Sequence, residues 1–279
     1  MVWHFRDRSV EFPRPLVMGI VNVTPDSFSD GGRYSTAHAA VEHGLRLAAD
    51  GADFLDVGGE SSRPGATPVS LAEELGRVVP VVRGLAERTG VPISVDTTKA
   101  EVARQALAAG AHIINDISAG LGDPDMPAVV RDAGAGFVLM HMQGTPQTMQ
   151  QNPGYGDVVA EVRDFLAERV RAIVAAGIPD SRLAVDPGIG FGKTFDHTLA
   201  QLRDLDSLNA LGRPIVLGVS RKGFLGQITG RDRTGRLAGS LAVACYGAAR
   251  GAAHVVRVHD VAETVDAMKV IGSLSPPRR

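Results

Sequence analysis

Charged, amide and imidazole residues stand directly after short apolar runs of this sequence, and these residues have the side chains that can do chemistry. Carboxylates and amides can accept and donate hydrogen bonds along the edge of a heterocycle that is rich in N–H groups. Carboxylate bonds to paired donors are the strong, charge-assisted kind. The pattern therefore favours a small polar ligand. The set comprises Asn22, Asp96, Asn115, Asp186, Lys222, Arg257 and His259.

The cationic members of this set have a second use. Arg257 and His259 are two residues apart on one apolar run, so they point the same way and suit an anion. Asn22 is available as a third anion ligand or as an oxygen donor to a metal. Lys222 follows Arg221 directly after the seventh apolar run, where a cation can reach a ring oxygen or nitrogen.

Each residue also has a simpler interpretation. Asp96 and Asp186 can cap the helices that follow them, because Asp at a strand-to-helix junction is a good N-cap. Arg257 alone is more often part of a surface ion pair, and His141 alone is more often structural than functional. Convergence decides between these interpretations, since several polar groups buried at one place leave unpaired charge unless a ligand or partner satisfies them.

The elements that position these residues follow from the apolar runs. Between the runs lie stretches with helical spacing, so the chain reads as eight strand–helix units. Strict alternation predicts parallel strands with helical crossovers, and the count of eight selects a closed barrel over an open sheet. The runs are Leu16–Val23, Phe54–Val57, Ile93–Val95, Ile113–Ile114, Phe137–Met140, Leu183–Val185, Ile215–Val219 and Val255–Val256.

The predicted fold class is therefore α/β, a single-domain (β/α)8 TIM barrel with a short N-terminal hairpin. Trp3 and Phe5 precede a polar turn that is followed by Val10 and Phe12, which is typical of a hairpin that caps the barrel bottom. We expect the hairpin at 1–15, the barrel at 16–272 and a flexible tail at 273–279. Active sites of such barrels lie at the carboxyl ends of the strands, so the polar residues are expected to form one cluster.

Composition narrows the class of partner. The chain has 279 residues, a formal net charge of −2 and no Lys/Arg-rich stripe, which argues against a nucleic-acid surface. No apolar run reaches the roughly 18 residues that span a bilayer, and no secretion signal opens the sequence, so we expect a cytoplasmic protein without a membrane partner. The single cysteine, Cys245, lies among apolar residues and is expected to be an inert thiol.

One glycine-rich stretch is similar to a phosphate-binding loop but does not match its spacing. Residues Asp186–Thr194 resemble a phosphate-binding loop, but the spacing between Gly188 and Gly192 is one residue too short for that motif. We therefore expect a loop of the barrel here and assign no phosphate to it.

Two small, polar loops follow the first two strands and are expected to act as lids. Together with three later motifs they resemble the signature segments of the dihydropteroate synthase family, and the resemblance spans Met18 to Lys269. The matching segments are Thr24–Gly32, Gly58–Ala66, Asp186–Thr194, Ser220–Lys222 and Arg257–Asp260.

The resemblance implies a TIM barrel and a transferase of folate biosynthesis. The family joins 6-hydroxymethyl-7,8-dihydropterin diphosphate to para-aminobenzoate, which gives 7,8-dihydropteroate and releases pyrophosphate. It further implies Mg2+, a homodimer built through the later helices, and competition by sulfonamide drugs. By the same resemblance Asp96, Lys222, Arg257 and His259 are the catalytic residues.

The resemblance assigns three groups of binding residues by their positions. The pterin site comprises Asp96, Asn115, Ile117, Met140, Asp186, Phe191, Gly218 and Lys222. The diphosphate site comprises Asn22, Arg257 and His259, with Asn22 and the first-lid residue Asp30 as metal ligands. The para-aminobenzoate site comprises Phe28, Ser61, Ser62, Arg63, Pro64, Ser220 and Lys222. Many relatives carry threonine where this chain has Ser62, which removes a methyl group and would alter drug fit more than chemistry.

The implied mechanism is dissociative: the diphosphate leaves, Asp96 stabilises the pterin cation, and the aryl amine attacks. Two alternatives remain open. One is a pterin-dependent methyltransferase module, which shares the barrel and the pterin carboxylates but has less use for the diphosphate residues. The other is a non-catalytic paralogue that binds pterin without turnover.

Overall fold

The structure of the protein is a computed structural model that describes residues 1–23 and 33–274. Eight parallel strands form one sheet in the order β8-β7-β6-β5-β4-β3-β10-β9, and a parallel bridge between Val185 and Ile215 joins its two ends. The sheet is therefore closed, and the predicted TIM barrel is confirmed. The strands are β1 (Val2–Phe5), β2 (Arg8–Glu11), β3 (Leu16–Asn22), β4 (Phe54–Gly58), β5 (Ile93–Asp96), β6 (Ile113–Asp116), β7 (Gly136–Met140), β8 (Leu183–Asp186), β9 (Val216–Gly218) and β10 (Val255–Val258).

Helices on the outside of the barrel connect successive strands. Each stretch with helical spacing became a helix, and among the described residues a short extra one, α7, precedes α8. Gly223 and Gly226 within α7 hide it from a pattern search, because glycine is a poor helix former. The helices are α1 (Arg33–Ala49), α2 (Leu71–Ala86), α3 (Ala100–Ala108), α4 (Met126–Ala133), α5 (Val158–Ala175), α6 (Phe195–Arg203), α7 (Gly223–Thr229), α8 (Leu237–Ala249) and α9 (Val261–Leu274).

The N-terminal hairpin closes the bottom of the barrel, as predicted. β1 pairs antiparallel with β2, and the side chains of Trp3 and Phe5 are fully buried. Both rings contact Phe54 of β4, at centroid distances of 5.7 and 5.9 Å. The Trp3 indole also donates a hydrogen bond of 2.9 Å to the carbonyl of Arg182, so its polar atom is satisfied. These rings pack on the lowest layer of barrel residues, namely Met18, Phe54, Ile113, Val138, Ala184, Val216 and Val255.

Polar residues begin one layer higher in the barrel. Asp56 of β4 pairs in register with Ile20 on one side and with Ser94 on the other, and both polar residues are fully buried. Apolar side chains therefore fill the end of the barrel that the hairpin covers, and polar side chains fill the end where the strands terminate.

None of the helices in the described parts of the chain is long and apolar enough to cross a membrane. The division into a hairpin at 1–15, a barrel at 16–272 and a tail at 273–279 stays a prediction.

Candidate active site

Strand register brings the predicted residues to one rim of the barrel. Asn22 pairs with Gly58, Gly58 with Asp96, and Asp96 with Asn115 on successive strands. On the opposite wall Met140 pairs with Asp186, and Gly218 pairs with Arg257. Residues far apart in the sequence thus form the cluster that the barrel predicted.

Arg257 lies at the centre of this cluster. Its Nε donates to Asp56 Oδ2 at 2.6 Å, and its Nη2 donates to Asp96 Oδ2 at 2.8 Å. Burial alone would lower the pKa of Arg257, but the charges of the two carboxylates raise it above its ordinary value. The guanidinium is therefore permanently charged and is shared between two acids.

Asp96 has an unusual protonation behaviour for a carboxylate. Burial raises its pKa to about 7, the charge of Asp56 adds to this effect, and the charge of Arg257 opposes it. The physical cause is that one guanidinium cannot fully neutralise two carboxylates in a site that water scarcely reaches. Asp96 therefore titrates near neutral pH in the ligand-free protein.

Asp186 and Lys222 are a second pair of opposite charges at this rim, the mouth of the barrel, and each influences the pKa of the other without a direct ion pair among the described residues. Asp186 Oδ1 accepts the Gly188 N–H at 2.7 Å, and burial raises the pKa of this carboxylate while the charge of Lys222 lowers it. Lys222 donates to the carbonyl of Ile189 and lies 4.5 Å from the centroid of the Phe191 ring. Burial lowers the pKa of Lys222 to about 8, against the attraction of Asp186.

Most of the remaining residues of the predicted pterin site stand at or beside the ends of β6, β7 and β9. Asn115 is buried and donates from Nδ2 to Asp56 Oδ2 at 3.3 Å. Ile117 and Met140 are buried apolar residues at the ends of β6 and β7. Gly218 leaves room beside the acid, because a Cβ on this residue would lie 3.8 Å from Asp186 Oδ2.

His259 faces Ser220 across the end of β10. Ser220 Oγ and His259 Nδ1 share a hydrogen bond of 3.0 Å, and the same hydroxyl oxygen accepts the His259 backbone N–H at 3.2 Å. Burial, with the charges of Arg257 and Arg221, lowers the pKa of His259 to about 3. The imidazole is therefore neutral at physiological pH and offers a hydrogen bond instead of a positive charge.

The second lid is short and turned back on itself. Ser61 and Ser62 are half-buried, whereas Arg63 and Pro64 are exposed. The Arg63 N–H donates to Ser61 Oγ at 3.4 Å. The predicted residues Phe28 and Asp30 of the first lid lie outside the described residues.

A buried acid beneath the second lid holds its base in place, and sequence reasoning missed it. Glu74 of α2 is 1% exposed; it accepts Thr97 Oγ1 at 2.7 Å and Lys99 Nζ at 2.5 Å. Lys99 also pairs with Glu60, which stands directly before Ser61. The only sequence signal is an acid on the buried face of a helix, and it does not reveal the partner.

A buried lysine orders the loop after β8. Lys193 Nζ lies 2.9 Å from His141 Nδ1 and donates to the carbonyls of Gly188 and Phe191, both at 3.0 Å. Burial and the nearby Lys222 lower the pKa of Lys193 to about 7. Its amine therefore points at its own loop, unlike the lysine of a phosphate-binding loop. The backbone passes so close that a Cβ on Gly188 would lie 1.9 Å from the His141 carbonyl oxygen.

The donor set for a metal is small. The described residues contain no group of three or more His, Cys, Asp and Glu side chains that could hold a metal ion. Asn22, at the end of β3, presents an amide that suits Mg2+ only when other oxygens complete the shell. This fits Mg2+, because the ion keeps several waters and is often held by one or two protein oxygens together with substrate phosphates.

The chain as a whole is similar to proteins of known activity. The family described as pterin binding enzyme matches residues 18–259. The dihydropteroate synthase of Escherichia coli (strain K12) is 48% identical over 263 residues, which cover 94% of this chain and 93% of that protein.

Solved structures agree with the sequence comparison. The Yersinia pestis dihydropteroate synthase with a sulfonamide drug superposes with a TM-score of 0.92 at 44% identity and covers 98% of this chain and 99% of that chain. The Xanthomonas albilineans dihydropteroate synthase with 4-aminobenzoic acid gives a TM-score of 0.90 at 52% identity, with coverage of 96% and 95%. These similarities extend over nearly the whole chain.

Proposed function

This chain belongs to the pterin binding enzyme family, and from that premise we infer that it is a transferase with dihydropteroate synthase activity. It condenses 6-hydroxymethyl-7,8-dihydropterin diphosphate with para-aminobenzoate to give 7,8-dihydropteroate and pyrophosphate in folate biosynthesis. The observation that carries this conclusion is the convergence of two carboxylates, a lysine and an arginine on one barrel mouth, in a chain 48% identical to such a synthase over 94% of its length.

The pterin ring binds between the two charged pairs. Asp186 and Asn115 supply oxygens for the ring N–H groups, and Lys222 donates to a ring oxygen or nitrogen. Asp96 accepts from the remaining edge of the ring once it gives up its bond to Arg257. Ile117, Met140, Phe191 and Gly218 are the walls of this pocket. Support comes from the burial of these polar groups, which favours a ligand that satisfies them.

The diphosphate needs more positive charge than the mouth supplies. Arg257 already faces Asp56 and Asp96, and His259 is neutral. We propose that Asn22 and the diphosphate oxygens hold Mg2+, with Asp30 of the first lid as a further ligand. The ion supplies charge stabilisation of the leaving group when it is bound. His259 donates a hydrogen bond to a phosphate oxygen, and Arg257 donates from its Nη atoms.

The chemistry is dissociative in this proposal. The carbon–oxygen bond to the diphosphate breaks, its electron pair leaves with the diphosphate, and the pterin methylene becomes positively charged. The carboxylate of Asp96 stabilises that cation electrostatically. The amine of para-aminobenzoate then forms the new carbon–nitrogen bond and releases a proton, so no covalent enzyme intermediate is required.

Para-aminobenzoate binds beside the second lid. We propose that Ser61, Ser62, Arg63, Pro64 and Ser220 form this pocket with Lys222 and Phe28. The lid begins at Gly58, which pairs in register with Asp96 of the mouth, and the similar Xanthomonas albilineans enzyme was solved with 4-aminobenzoic acid. Sulfonamides should compete at this pocket. The homodimer and the cytoplasmic location stay predictions.

Steady-state assays test the proposal directly. Purified protein with dihydropterin diphosphate, para-aminobenzoate and Mg2+ should form dihydropteroate and pyrophosphate, and the gene should rescue a bacterium that lacks this step of folate synthesis. Pterin binding without product would identify a non-catalytic paralogue. Methyl transfer from a methylated folate to a corrinoid protein would identify the methyltransferase module instead.

A further inference from the structure

Asp56 is a buried carboxylate to which the roles above assign nothing. It lies in the middle of β4, its side chain is 0% exposed, and it faces the inside of the barrel below the mouth. A carboxylate in such a place is strongly destabilising unless it is paired and hydrogen-bonded. Its retention within an otherwise apolar strand calls for a function that its partners define.

The partners of Asp56 are both residues of the proposed site. Its Oδ2 accepts Arg257 Nε at 2.6 Å and Asn115 Nδ2 at 3.3 Å. Its Oδ1 has no hydrogen-bond partner among the described residues, and the same holds for Ser94 Oγ on the neighbouring strand. Asp56 therefore holds Arg257 through a single oxygen and leaves both Nη atoms of the guanidinium available to other groups.

Arg257 consequently has one fixed partner and one replaceable partner. Asp56 is closed off from solvent, whereas Asp96, which accepts Nη2 at 2.8 Å, has 11% of its side chain exposed at the mouth. A pterin N–H competes with Nη2 for Asp96, and a diphosphate competes with Asp96 for the Nη donors. The bond to Asp96 is therefore the one that substrate binding can exchange, while the bond to Asp56 can persist.

We propose that Asp56 is a positioning residue, a tether that keeps the Arg257 guanidinium in place while its Nη atoms pass from Asp96 to the diphosphate. This inference rests on the proposed function of the site. Without the tether the guanidinium is free to turn and bind Asp96 through two parallel N–H bonds, which is the strongest geometry for an arginine–carboxylate pair. Arg257 would then compete with the pterin for Asp96.

The tether predicts unequal effects on the two halves of the substrate. In Asp56→Asn the pterin should bind more weakly, by about tenfold, because it competes with a stronger Arg257–Asp96 pair. Inorganic pyrophosphate should bind about equally well, because the loss of a negative charge at the mouth offsets the Nη donors that the stronger pair withdraws. A residue that only supports the structure would weaken both ligands when it is changed, since both use the same mouth.

Titration calorimetry can separate these outcomes. The probes are 6-hydroxymethylpterin without phosphate and inorganic pyrophosphate with Mg2+, each titrated into the wild-type protein and Asp56→Asn. Asp53→Asn is the matched control: Asp53 pairs with Arg14 at 2.8 Å beside the start of the same strand, at the far end of the barrel. The same substitution there should leave both affinities unchanged.

Weaker pterin binding with undiminished pyrophosphate binding would support the tether. Equal losses for both ligands, or no change in either, would overturn it. Asp56→Ser, which leaves room for water beside Ser94, replaces Asp56→Asn if the latter does not fold, and the same pattern is expected. Wild-type turnover is measured in parallel: an inactive wild type contradicts the proposed function, whereas an active wild type with unaltered Asp56→Asn binding contradicts only the tether.

Discussion

The two ends of the barrel differ in what the same eight strands bury: apolar side chains at the bottom and charged side chains at the mouth. At the bottom the hairpin rings of Trp3 and Phe5 pack on an apolar layer, and the one polar atom of Trp3 has a carbonyl partner. At the mouth, the buried Asp56 and the half-buried Asp96 and Arg257 lie together with charges that do not cancel. The difference teaches that the bottom contributes stability, whereas the mouth retains unfavourable electrostatics that a ligand can relieve.

Removing an aromatic side chain at the bottom of the barrel should produce the largest loss of stability. Trp3→Ala deletes a fully buried indole and should cost about 3–5 kcal/mol of folding free energy, as for other large-to-small core changes. Denaturant unfolding measures this loss, and Trp3→Phe, which keeps a ring, should lose less. The kcat of the folded fraction should be unchanged, and a fall in kcat beyond the loss of folded protein would break the comparison.

A substitution at the mouth should lower kcat strongly and stability little, which is the reverse of the result expected at the bottom. Asp96→Ala should lower kcat by about 10²-fold, roughly 3 kcal/mol of transition-state stabilisation, because the pterin cation loses its carboxylate. Its unfolding midpoint should fall little, since Asp56 still pairs with Arg257. Steady-state kinetics with both substrates measure the effect. A variant with wild-type turnover would contradict the role of Asp96.

The sequence indicated the barrel because its strands stand as continuous apolar runs that end on polar residues. Those ends also predicted most of the site, since a closed barrel can only bring them to one rim. Asp56 was missed because it lies inside an apolar run, and its partner Arg257 is 201 residues away in the sequence.

Glu74 and Lys193 were missed for a related reason. Each is a buried charge whose partners come from other segments, such as Lys99 for Glu74 and His141 for Lys193. Periodicity detects which face of an element is buried, but it carries no information about which distant group satisfies a charge on that face. Only the folded arrangement supplies that information.

Substitution of Lys193 tests whether the mouth depends on the hydrogen bonds that hold the loop after β8. Lys193→Met should leave the carbonyl of Phe191 without its lysine donor and the carbonyl of Gly188 with the Phe191 N–H alone, at a cost of about 1–3 kcal/mol in stability. The loop that carries Phe191 should loosen, so the KM for the pterin substrate should rise while the KM for para-aminobenzoate stays near wild type. Lys193→Arg tests whether charge alone suffices; equal changes in both KM values would contradict a local role.

Titration offers a smaller effect, which arises at the mouth alone. Asp96 must be ionised to accept a pterin N–H, and burial raises its pKa to about 7; Lys222 must be protonated to donate, and burial lowers its pKa to about 8. Pterin affinity should therefore rise with pH through about 7 and decline above about 8. Calorimetry across this range measures the profile. Asp96→Asn should lose the acid limb, and retention of that limb would assign it to another group.

The second lid allows the smallest predicted effect to be tested, because a change at its base should affect one substrate and not the other. Lys99→Met removes the cation between Glu60 and Glu74, so the base of the lid loses one of its links to α2 and keeps the bond from Arg77 to the Gly59 carbonyl. We expect the KM for para-aminobenzoate to rise a few-fold, by about 1 kcal/mol. The KM for the pterin substrate and kcat should stay near wild type, because Asp96 and Arg257 do not contact Lys99. Lys269→Met, which removes an exposed lysine of α9 that pairs with Asp266, is the control and should change none of these constants. If the KM for the pterin substrate rose together with the KM for para-aminobenzoate, the lid and the charged residues of the mouth would depend on each other. Only the apolar bottom of the barrel would then be independent of substrate binding.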